Sequence, residues 1–386
     1  MKTFLILFIG FISHSAYCSY AGWVQKANFP NIARHRAASF AIGDKGYVGI
    51  GHTNGTGTNV VYNDWWEFDP ATNAWTQKAN YPIGNYGVST FVIGNKGYMG
   101  GGNIGGWGGG SFYEYKPTTN KWAPIPNPPT LPDDETAFAI NNKGYVLDDM
   151  NLYEFDPATN SWTTKNPIPA DGWQTSSFVI DGKGYLKVGN NLYEYKPAID
   201  AWTLRANFPG LATSGSGAFA LNNKGYIVCG YSGGLSSVVS EVWEYDPSSN
   251  SWSQKPDFPG TSRRFCTSFN IGNKGYFGLG TNGTNFSDFW EYNPDIEYLS
   301  IESNELVNIL PYPNPSTNLI TFNFSDVDFL DNLTLKVYNS LGQMVYQSNI
   351  TEQTITLNKS NFNTGTYIYM VSSSSEIISK GTFIFN

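Results

Sequence analysis

Residues 38–75 read ASFAIGDKGYVGIGHTNGTGTNVVYNDWWEFDPATNAW, and this stretch decides the fold. An apolar run and a tight turn lead into the tripeptide KGY at 45–47, a pattern typical of a two-stranded hairpin. The motif EFDP at 67–70 indicates a third strand that ends in a turn, because proline presets the backbone angle that a turn needs. Trp75 stands five residues after that proline and marks a fourth strand. The stretch therefore predicts four short antiparallel strands.

The same landmarks recur along most of the chain. The tripeptide KGY occurs six times, with its lysine at Lys45, Lys96, Lys143, Lys183, Lys224 and Lys274. A strand that ends in a proline turn follows each copy. In five copies a tryptophan stands five residues after the proline, at Trp75, Trp122, Trp162, Trp202 and Trp252. The sixth copy reaches Pro294 without such a tryptophan. A period of 40 to 51 residues with four strands indicates a repeat architecture.

The missing fourth strand of the last repeat stands at the start of the chain. Residues 23–30, WVQKANFP, match residues 75–82, WTQKANYP, almost letter for letter, and no other strands of a repeat precede them. A linear stack has no use for an isolated fourth strand, whereas in a closed ring this strand completes the last sheet. Closure also protects sheet edges that would otherwise be exposed. We therefore predict an all-β ring of six sheets that the N-terminal strand closes.

The repeat resembles that of the kelch propeller family. In this family an aromatic residue on the third strand is followed, after six intervening residues, by a tryptophan, which is the spacing of Phe68 and Trp75. The glycine doublet of the family is intact at 100–101 and is missing from the third and fourth repeats. The resemblance covers residues 22–297 and implies a six-bladed kelch-type β-propeller.

The composition agrees with short strands and excludes several other classes of protein. Charged residues make up 14% of the chain, against about 25% in an average soluble domain, and aromatic residues make up 16%. Disordered chains are poor in aromatic residues, and helical bundles need more Ala, Leu, Glu and Lys. The net charge of −8 argues against a nucleic-acid backbone as the partner.

The N-terminus predicts export from the cytoplasm. A lysine, an apolar run from Phe4 to Ile12 and several small residues are typical of a secretory signal peptide over residues 1–18, with a cut as late as residue 21. No later segment has 18 apolar residues in a row, so we expect no membrane span. Cys229 and Cys266 remain after cleavage, and they either pair or stay as buried thiols.

The texture of the sequence changes after the sixth repeat. Beyond a linker at 298–310, apolar and polar residues alternate in LITFNF at 319–324 and LTLKVY at 333–338, which predicts a small β-sandwich over 311–386. In order, spacing and terminal position, its motifs resemble the type A C-terminal sorting domain of type IX secretion in Gram-negative bacteria. The resemblance implies an outer-membrane translocon as a partner and a location outside the cell, released or surface-attached. An ordinary carbohydrate-binding or immunoglobulin-like sandwich is the alternative.

Candidate ligand-binding residues come from aligning the repeats on KGY. In propellers the loops carry function while the blades carry stability, so the residues 9 to 11 positions before each KGY are expected at the mouth of the central channel. Four of the five arginines fall there, in the first and last repeats, and acidic residues stand in the third. With the exposed aromatic residues, the candidates are Arg34, His35, Arg36, Tyr86, Trp107, Asp133, Asp134, Trp173, Arg263 and Arg264.

This set of side chains suggests two functions. Guanidinium groups that face carboxylates across a mouth would suit an anionic, hydroxyl-rich ligand such as an acidic sugar. We therefore expect a secreted or cell-surface module that binds a glycan or a protein. The alternative is a sugar-processing enzyme such as a sialate mutarotase or epimerase, with Arg34 and Arg263 on the carboxylate and Asp134 or Glu135 as acid and base. A purely structural role, in which the arginines tie neighbouring blades together, also stays open.

The sequence carries no clear catalytic, metal or cofactor motif. His35 and His52 are too few for a histidine-rich metal centre, and the sequence contains neither a phosphate-binding loop nor a Gly-x-Ser-x-Gly elbow. We therefore assign no catalytic residue, no metal and no cofactor.

Overall fold

A computed structural model describes residues 22–55, 58–105, 109–134, 136–171, 174–233, 237–295, 309–324, 333–339, 343–372 and 377–386. The chain divides into two compact units, residues 1–298 and residues 299–386. None of the described segments forms a helix long and apolar enough to cross a membrane. The predicted signal peptide lies outside the described residues and stays a prediction.

The strands of the first unit follow the landmarks of the repeat. Numbered along the chain, they are β1 (Trp23–Lys26), β2 (Ala38–Ile42), β3 (Lys45–Gly49), β4 (His52–Gly55), β5 (Thr58–Val61), β6 (Trp65–Asp69), β7 (Ala74–Lys78), β8 (Ser89–Ile93), β9 (Lys96–Gly101), β10 (Gly110–Lys116), β11 (Lys121–Pro124), β12 (Ala137–Ile140), β13 (Lys143–Asp148), β14 (Asn151–Asp156), β15 (Ser161–Lys165), β16 (Ser176–Ile180), β17 (Lys183–Val188), β18 (Asn191–Lys196), β19 (Ala201–Leu204), β20 (Gly217–Leu221), β21 (Lys224–Tyr231), β22 (Val238–Asp246), β23 (Ser251–Lys255), β24 (Thr267–Ile271), β25 (Lys274–Gly278) and β26 (Phe289–Tyr292). Short 3₁₀ helices, Pro117–Thr119 and Pro197–Ile199, follow β10 and β18.

In the described part of this unit, the strands form six four-stranded antiparallel sheets, and β4 and β5 form a separate hairpin. In five of the sheets all four strands come from one repeat, as in β2-β3-β6-β7. The sixth sheet combines β24, β25 and β26 with β1, so that Trp23 lies opposite Tyr292 and Lys26 lies opposite Phe289. The N-terminal strand thus completes the last sheet, as the sequence match between 23–30 and 75–82 predicts.

The six sheets close into a ring around a central channel. The first strand of each sheet contacts the first strands of both neighbouring sheets, and β24 of the last sheet contacts β2 of the first. At that junction Ser39 Oγ donates to the Ser268 carbonyl and accepts from the Ser268 amide, both at 3.2 Å. The predicted all-β propeller, closed by its N-terminal strand, is therefore confirmed.

Packing between the sheets explains the glycine of each KGY tripeptide. A Cβ atom built on Gly46 would lie 2.2 Å from the Phe269 ring of the neighbouring sheet, and one built on Gly97 would lie 2.2 Å from the Phe40 ring. Atoms in a close-packed interior cannot approach so closely, so only glycine admits this phenylalanine. The same contact recurs at Gly144, Gly184, Gly225 and Gly275, which face Phe91, Phe138, Phe178 and Phe219.

In five of the six sheets, the tryptophan of the fourth strand links its sheet to the preceding one. Trp75 donates its indole N–H to the Ala27 carbonyl at 2.9 Å, and Trp122 donates to the Ala79 carbonyl at 3.0 Å. Equivalent bonds run from Trp162, Trp202 and Trp252 to the carbonyls of Pro126, Asn166 and Ala206. This recurring contact accounts for the regular tryptophan spacing in the sequence.

Cys229 and Cys266 are free thiols in this structure. Burial raises the pKa of the Cys229 thiol, and it raises that of Cys266 to about 12. Of the two possibilities that the sequence leaves open, the structure therefore shows unpaired, protonated thiols.

The second unit is a small β-sandwich. Its strands are β27 (Leu319–Asn323), β28 (Thr334–Asn339), β29 (Met344–Asn349), β30 (Thr354–Asn358), β31 (Gly365–Ser372) and β32 (Ile377–Phe385), with a 3₁₀ helix at Lys359–Asn361. One sheet pairs β27 with β30, and the other has the order β29-β28-β31-β32. Phe322 of the first sheet lies 5.0 Å from Tyr369 and 5.8 Å from Phe383 of the second, measured between ring centroids. The two sheets therefore share one core, as the alternating sequence predicts.

Candidate functional site

A ring of six residues, one from each sheet, narrows one end of the channel. These residues stand nine positions before the lysine of each KGY, and all have positive φ angles between 52° and 65°: Arg36, Gly87, Asp134, Gln174, Gly215 and Phe265. Backbone hydrogen bonds connect neighbours in this αL ring. The amides of Arg36, Gly87, Asp134, Gly215 and Phe265 donate to the carbonyls of Phe265, Arg36, Gly87, Gln174 and Gly215 at 2.9 to 3.1 Å. The αL ring thus forms the floor of the mouth.

Four residues of the αL ring are not glycine and nevertheless have positive φ angles: Arg36, Asp134, Gln174 and Phe265. Residues other than glycine rarely adopt positive φ, and a bulky residue such as Phe265 is an outlier there. Conformations of this kind cost about 1 to 3 kcal/mol each and persist where surrounding contacts fix them. The cavity inside the αL ring measures about 120 Å³, far below the roughly 300 Å³ at which small-molecule pockets begin. The opening inside the αL ring is therefore too small to hold a ligand the size of a sugar.

Arg34 and Arg263 do not reach the mouth. Arg34 is fully buried, and its guanidinium donates to Asp64 Oδ1 at 2.5 Å and to the Ile50 carbonyl at 3.1 Å. Arg263 is equally enclosed and donates to both carboxylate oxygens of Asp288, at 2.6 and 2.9 Å. The expectation that these two guanidinium groups contact a ligand is therefore corrected. The geometry favours the structural alternative, although each arginine ties together parts of its own blade.

The acidic and basic groups of the αL ring meet each other directly. Arg36 Nη2 lies 2.8 Å from Asp134 Oδ2, and its guanidinium lies 4.1 Å from the centre of the Phe265 ring. Burial raises the pKa of Asp134, and the nearby Arg36 charge partly offsets this effect. The sequence predicts basic and acidic groups on opposite sides of a ligand. Arg36 and Asp134 instead form an ion pair with each other.

Arg264, which adjoins the αL ring at Phe265, carries a second half-buried guanidinium besides that of Arg36. Its side chain is half-buried, and the guanidinium lies 4.5 Å from the ring centre of Tyr231 and 4.8 Å from that of Phe265. Among the residues with described positions, no carboxylate lies within ion-pair distance of it, in contrast to Arg263. The mouth therefore contains a positive charge that is fixed by two aromatic rings and that no described carboxylate pairs with.

Two histidines stand next to Arg264 in a stack of aromatic rings. The ring centres of His35 and His52 are 4.2 Å apart, and Tyr86 stacks on His52 at 3.8 Å. The Nδ1 atoms lie 2.8 Å from Asn285 Oδ1 and 2.9 Å from Asn59 Oδ1. We infer that Nδ1 carries the proton in each ring and that Nε2 is left as the acceptor.

Burial keeps both imidazoles uncharged at neutral pH. It lowers the pKa of His35 to about 3, with further contributions from His52, Arg36 and Arg264, and it lowers that of His52 to about 4. Both side chains are buried, at 2% and 3% exposed, and His52 Nε2 has no hydrogen-bond partner among the described residues, so the two rings belong to the packing next to the mouth and add no charge to it. The described residues contain no group of three or more His, Cys, Asp or Glu that could hold a metal ion.

The remaining candidate residues lie elsewhere at the mouth or outside the residues that the structure describes. Asp133 is exposed, and partial burial raises the pKa of its carboxyl. Trp107, Trp173 and Glu135 lie outside the described residues, so their roles stay predictions. The sequence did not single out His52, Asn285 or Phe265 as site residues. Alignment on KGY places Phe265 at the position of Arg36, whereas the two others come from long connections without a repeating pattern.

Two protein families match parts of this chain. Residues 311–384 match the secretion system C-terminal sorting domain, and residues 212–259 match the kelch motif. The sorting domain indicates export by type IX secretion to the cell surface or the extracellular space. It also implies interaction with the type IX machinery.

Curated relatives match short stretches of the chain. An N-acetylneuraminate epimerase of Yersinia pestis (strain Pestoides F) is 40% identical over 87 residues, which are 21% of this chain and 22% of the relative. Ulvan lyase NLR42 of Nonlabens ulvanivorans is 28% identical over 110 residues, which are 28% of this chain and 20% of the lyase. This chain therefore spans about a fifth of the length of these relatives.

The fold also resembles a solved structure. The structure of YjhT superposes on this chain with a TM-score of 0.58 and 15% sequence identity. The superposition covers 68% of this chain and 95% of YjhT. At this level of identity the likeness establishes the propeller fold alone.

Proposed function

We propose that this kelch-type propeller, exported by its type IX sorting domain, binds an acidic sugar at the mouth of its channel. The Arg264 guanidinium carries the proposal, because it is fixed between Tyr231 and Phe265 and has no counter-ion among the described residues. A partly desolvated cation attracts an anion, and a planar guanidinium matches a carboxylate through two parallel hydrogen bonds. A sugar acid supplies that carboxylate.

The surroundings of Arg264 suit the rest of a sugar. The half-exposed rings of Tyr86 and Tyr231 offer faces for stacking, and the buried ring of His52 supports Tyr86 by stacking on it at 3.8 Å. Asp133 offers an exposed acceptor on the other side of the mouth. These groups support a ligand with one carboxylate and several hydroxyls.

Equilibrium binding of N-acetylneuraminate to the full chain, measured by isothermal titration calorimetry, tests the proposal. A hydrogen bond to a charged group contributes about 1.5 to 3 kcal/mol, so Arg264→Gln should weaken binding roughly 10- to 100-fold. Arg264→Lys keeps the charge and should recover part of the affinity. Lys121→Gln, which removes an exposed cation from the outer strand β11, is the matched control. Equal affinity of R264Q and the unaltered protein would refute the proposal.

A second candidate function is exchange between the anomers of the same sugar, which the epimerase match over 87 residues favours. In this reaction a base takes the proton of the anomeric hydroxyl, the ring C–O bond breaks and the ring oxygen gains a proton; reclosure then yields either anomer. Asp133 is the base that this proposal assigns, because its carboxylate is exposed next to the αL ring and its pKa is raised. NMR exchange spectroscopy distinguishes the two functions. Catalysed exchange that Asp133→Asn abolishes supports the enzyme, and binding with uncatalysed exchange supports the binding module.

A further inference from the structure

Lys187 departs from the repeat at a buried position. It stands four residues after the lysine of its KGY tripeptide, on β17 of the fourth sheet, and only 2% of its surface is exposed. The other five sheets have a small or apolar residue there: Gly49, Gly100, Leu147, Val228 and Gly278. The packing of this strand therefore does not require a lysine, and a buried charge is costly unless it has a partner.

The Lys187 ammonium links the fourth sheet to the segment that enters the fifth. It donates to the Ala212 carbonyl at 2.6 Å and to the Thr213 carbonyl at 3.3 Å. It also lies 4.6 Å from the centre of the Phe208 ring. The partners of this cation are thus backbone carbonyls and an aromatic face.

In two other sheets an arginine occupies the equivalent place. Alignment on KGY puts Thr213 at the position of Arg34 and Arg263. Both guanidinium groups lie 5.1 Å from a phenylalanine ring, as the Lys187 ammonium lies near Phe208. Each arginine also has an aspartate partner in its own sheet, whereas no described carboxylate forms an ion pair with Lys187. The fifth sheet therefore depends on a cation that the fourth sheet supplies.

The ionisable groups on the elements around Lys187 bind other partners or are uncharged. Glu194 of β18 pairs with Arg205 at 2.6 Å and with Lys196 at 3.5 Å. Glu241 of the fifth sheet accepts a backbone amide at 2.8 Å. Four buried phenols stay uncharged at neutral pH because burial raises their pKa: Tyr185, Tyr195, Tyr226 and Tyr245. Burial without a counter-ion lowers the pKa of Lys187 to about 7.

The segment that Lys187 binds also holds the tyrosine that packs on Arg264. The Thr213 amide and hydroxyl both donate to the Tyr231 carbonyl, at 2.7 and 3.0 Å. The Tyr231 amide donates to the Ser214 carbonyl at 2.8 Å, and the Tyr231 ring lies 4.5 Å from the Arg264 guanidinium. A continuous series of contacts therefore connects Lys187 to the guanidinium of the proposed site.

We infer that the charged ammonium of Lys187 is a positioning group for the mouth, which fixes residues 212–214 so that Tyr231 holds Arg264 in place for an anionic ligand. The inference rests on the proposed function. A hydrogen bond from a charged donor is roughly twice as strong as one from a neutral donor, so loss of the Lys187 proton loosens this segment. The affinity for an acidic sugar therefore depends on the protonation of a residue that does not touch the sugar.

Calorimetric titration of the full chain with N-acetylneuraminate, from about pH 6 to about pH 9, tests the inference. The fold lowers the pKa of Lys187 from 10.5 to about 7, so its ammonium loses the proton within this range. Arginine side chains and sugar carboxylates keep their charges over the same range. The affinity should fall roughly 3- to 10-fold as the pH rises, because one hydrogen-bonded contact is weakened. An affinity that does not change with pH would overturn the inference.

Lys187→Met separates positioning from support of the fold. A lowered pKa means that the folded protein holds this charge at a cost, which is complete at pH 7 and below and shrinks as the pH rises towards 10.5. K187M should therefore unfold at the same or a higher temperature at pH 7. Its affinity at pH 6 should nevertheless be roughly 3- to 10-fold lower than that of the unaltered protein and independent of pH. Leu147→Met, at the same strand position of the third sheet, is the matched control and should bind normally.

NMR of the arginine Nε–H groups provides a measurement that needs no ligand. The chain has five arginines, and the rings of Tyr231 and Phe265 beside Arg264 shift its signal. This signal should move in K187M, and in the unaltered protein it should follow the titration of Lys187. The signal of Arg34, which lies in the first sheet, should stay in place.

The outcomes distinguish this inference from the function on which it rests. If N-acetylneuraminate binds K187M as tightly as the unaltered protein, positioning by Lys187 is overturned and acidic-sugar binding stands. An Arg264 signal that is the same in both proteins overturns it as well. If K187M does not fold, the unaltered protein decides, because an Arg264 signal that ignores the Lys187 titration has the same meaning. If no acidic sugar binds but the Arg264 signal moves, the proposed function fails and the positioning of Arg264 stands.

Discussion

At the scale of single residues, neighbouring arginines of the same repeat have opposite surroundings. Arg263 is enclosed with Asp288, whereas Arg264 lies next to the αL ring between two aromatic rings. The sequence contains a sign of the first role, because Asp288 stands two residues before a tryptophan and accepts its indole N–H at 2.8 Å. Asp64 and Trp66 repeat this pattern with a bond of 2.7 Å, in the other repeat that has a buried arginine. The role of Arg264 depends on the αL ring, and no local sequence pattern predicts that ring.

Replacement of Arg34 tests this division at the level of stability. Arg34→Leu leaves the Asp64 carboxylate largely buried without its cation, so the free energy of unfolding of the propeller should fall by about 3 to 5 kcal/mol. Adding Asp64→Asn should restore part of that loss, because the uncompensated charge is removed. Arg264→Gln should stay within about 0.5 kcal/mol of the unaltered protein. Urea denaturation followed by tryptophan fluorescence measures all three. Retained stability in R34L would contradict the structural role.

At the scale of elements, β1, which is the fourth strand of the last sheet, differs from the fourth strands of the other five sheets. Trp23 is fully buried against Phe258, Phe277 and Tyr292, with ring centres 4.7 to 6.0 Å away. Among the described residues its indole N–H has no hydrogen-bond partner, although Trp75 and its equivalents each donate to a carbonyl of the preceding sheet. The junction between the fifth and sixth sheets, to which the N-terminal strand contributes Trp23, therefore depends on apolar packing at the position where the other junctions have an indole hydrogen bond.

Truncation of Trp23 should reveal this dependence. Trp23→Ala removes a fully buried ring and should lower the free energy of unfolding by about 3 to 5 kcal/mol. Trp23→Phe keeps much of the packing and loses no hydrogen bond, so its cost should be less than half as large. Trp75→Ala, at the half-buried equivalent in the first sheet, is the matched control and should cost less than Trp23→Ala. A larger loss in Trp75→Ala than in Trp23→Ala would show that this junction does not depend on this packing.

At the scale of the whole molecule, the repeated features were predictable from the sequence and the site was predictable only in part. KGY and the tryptophan spacing predict the sheets because each marks a contact that every junction reuses, as Gly46 and Phe269 show. The match between 23–30 and 75–82 predicts ring closure for the same reason. The αL ring follows from backbone hydrogen bonds between segments that lie far apart in the sequence. Alignment on KGY therefore found the mouth but could not distinguish its buried arginines from Arg264.

Export should depend on the second unit of the chain, whereas folding of the propeller should not depend on it. The core of the sandwich consists of residues from Ile309 onward, and the propeller cores consist of earlier residues, so deletion of 311–386 should leave the propeller folded. Without the sorting domain, the propeller should remain inside the envelope of a host that has type IX secretion. Protease accessibility on intact cells locates the protein, and thermal unfolding checks its fold. The full chain with Arg264→Gln is the control and should be exported normally. Surface exposure of the truncated propeller would overturn the role of the sorting domain, and a lost unfolding transition would contradict independent folding.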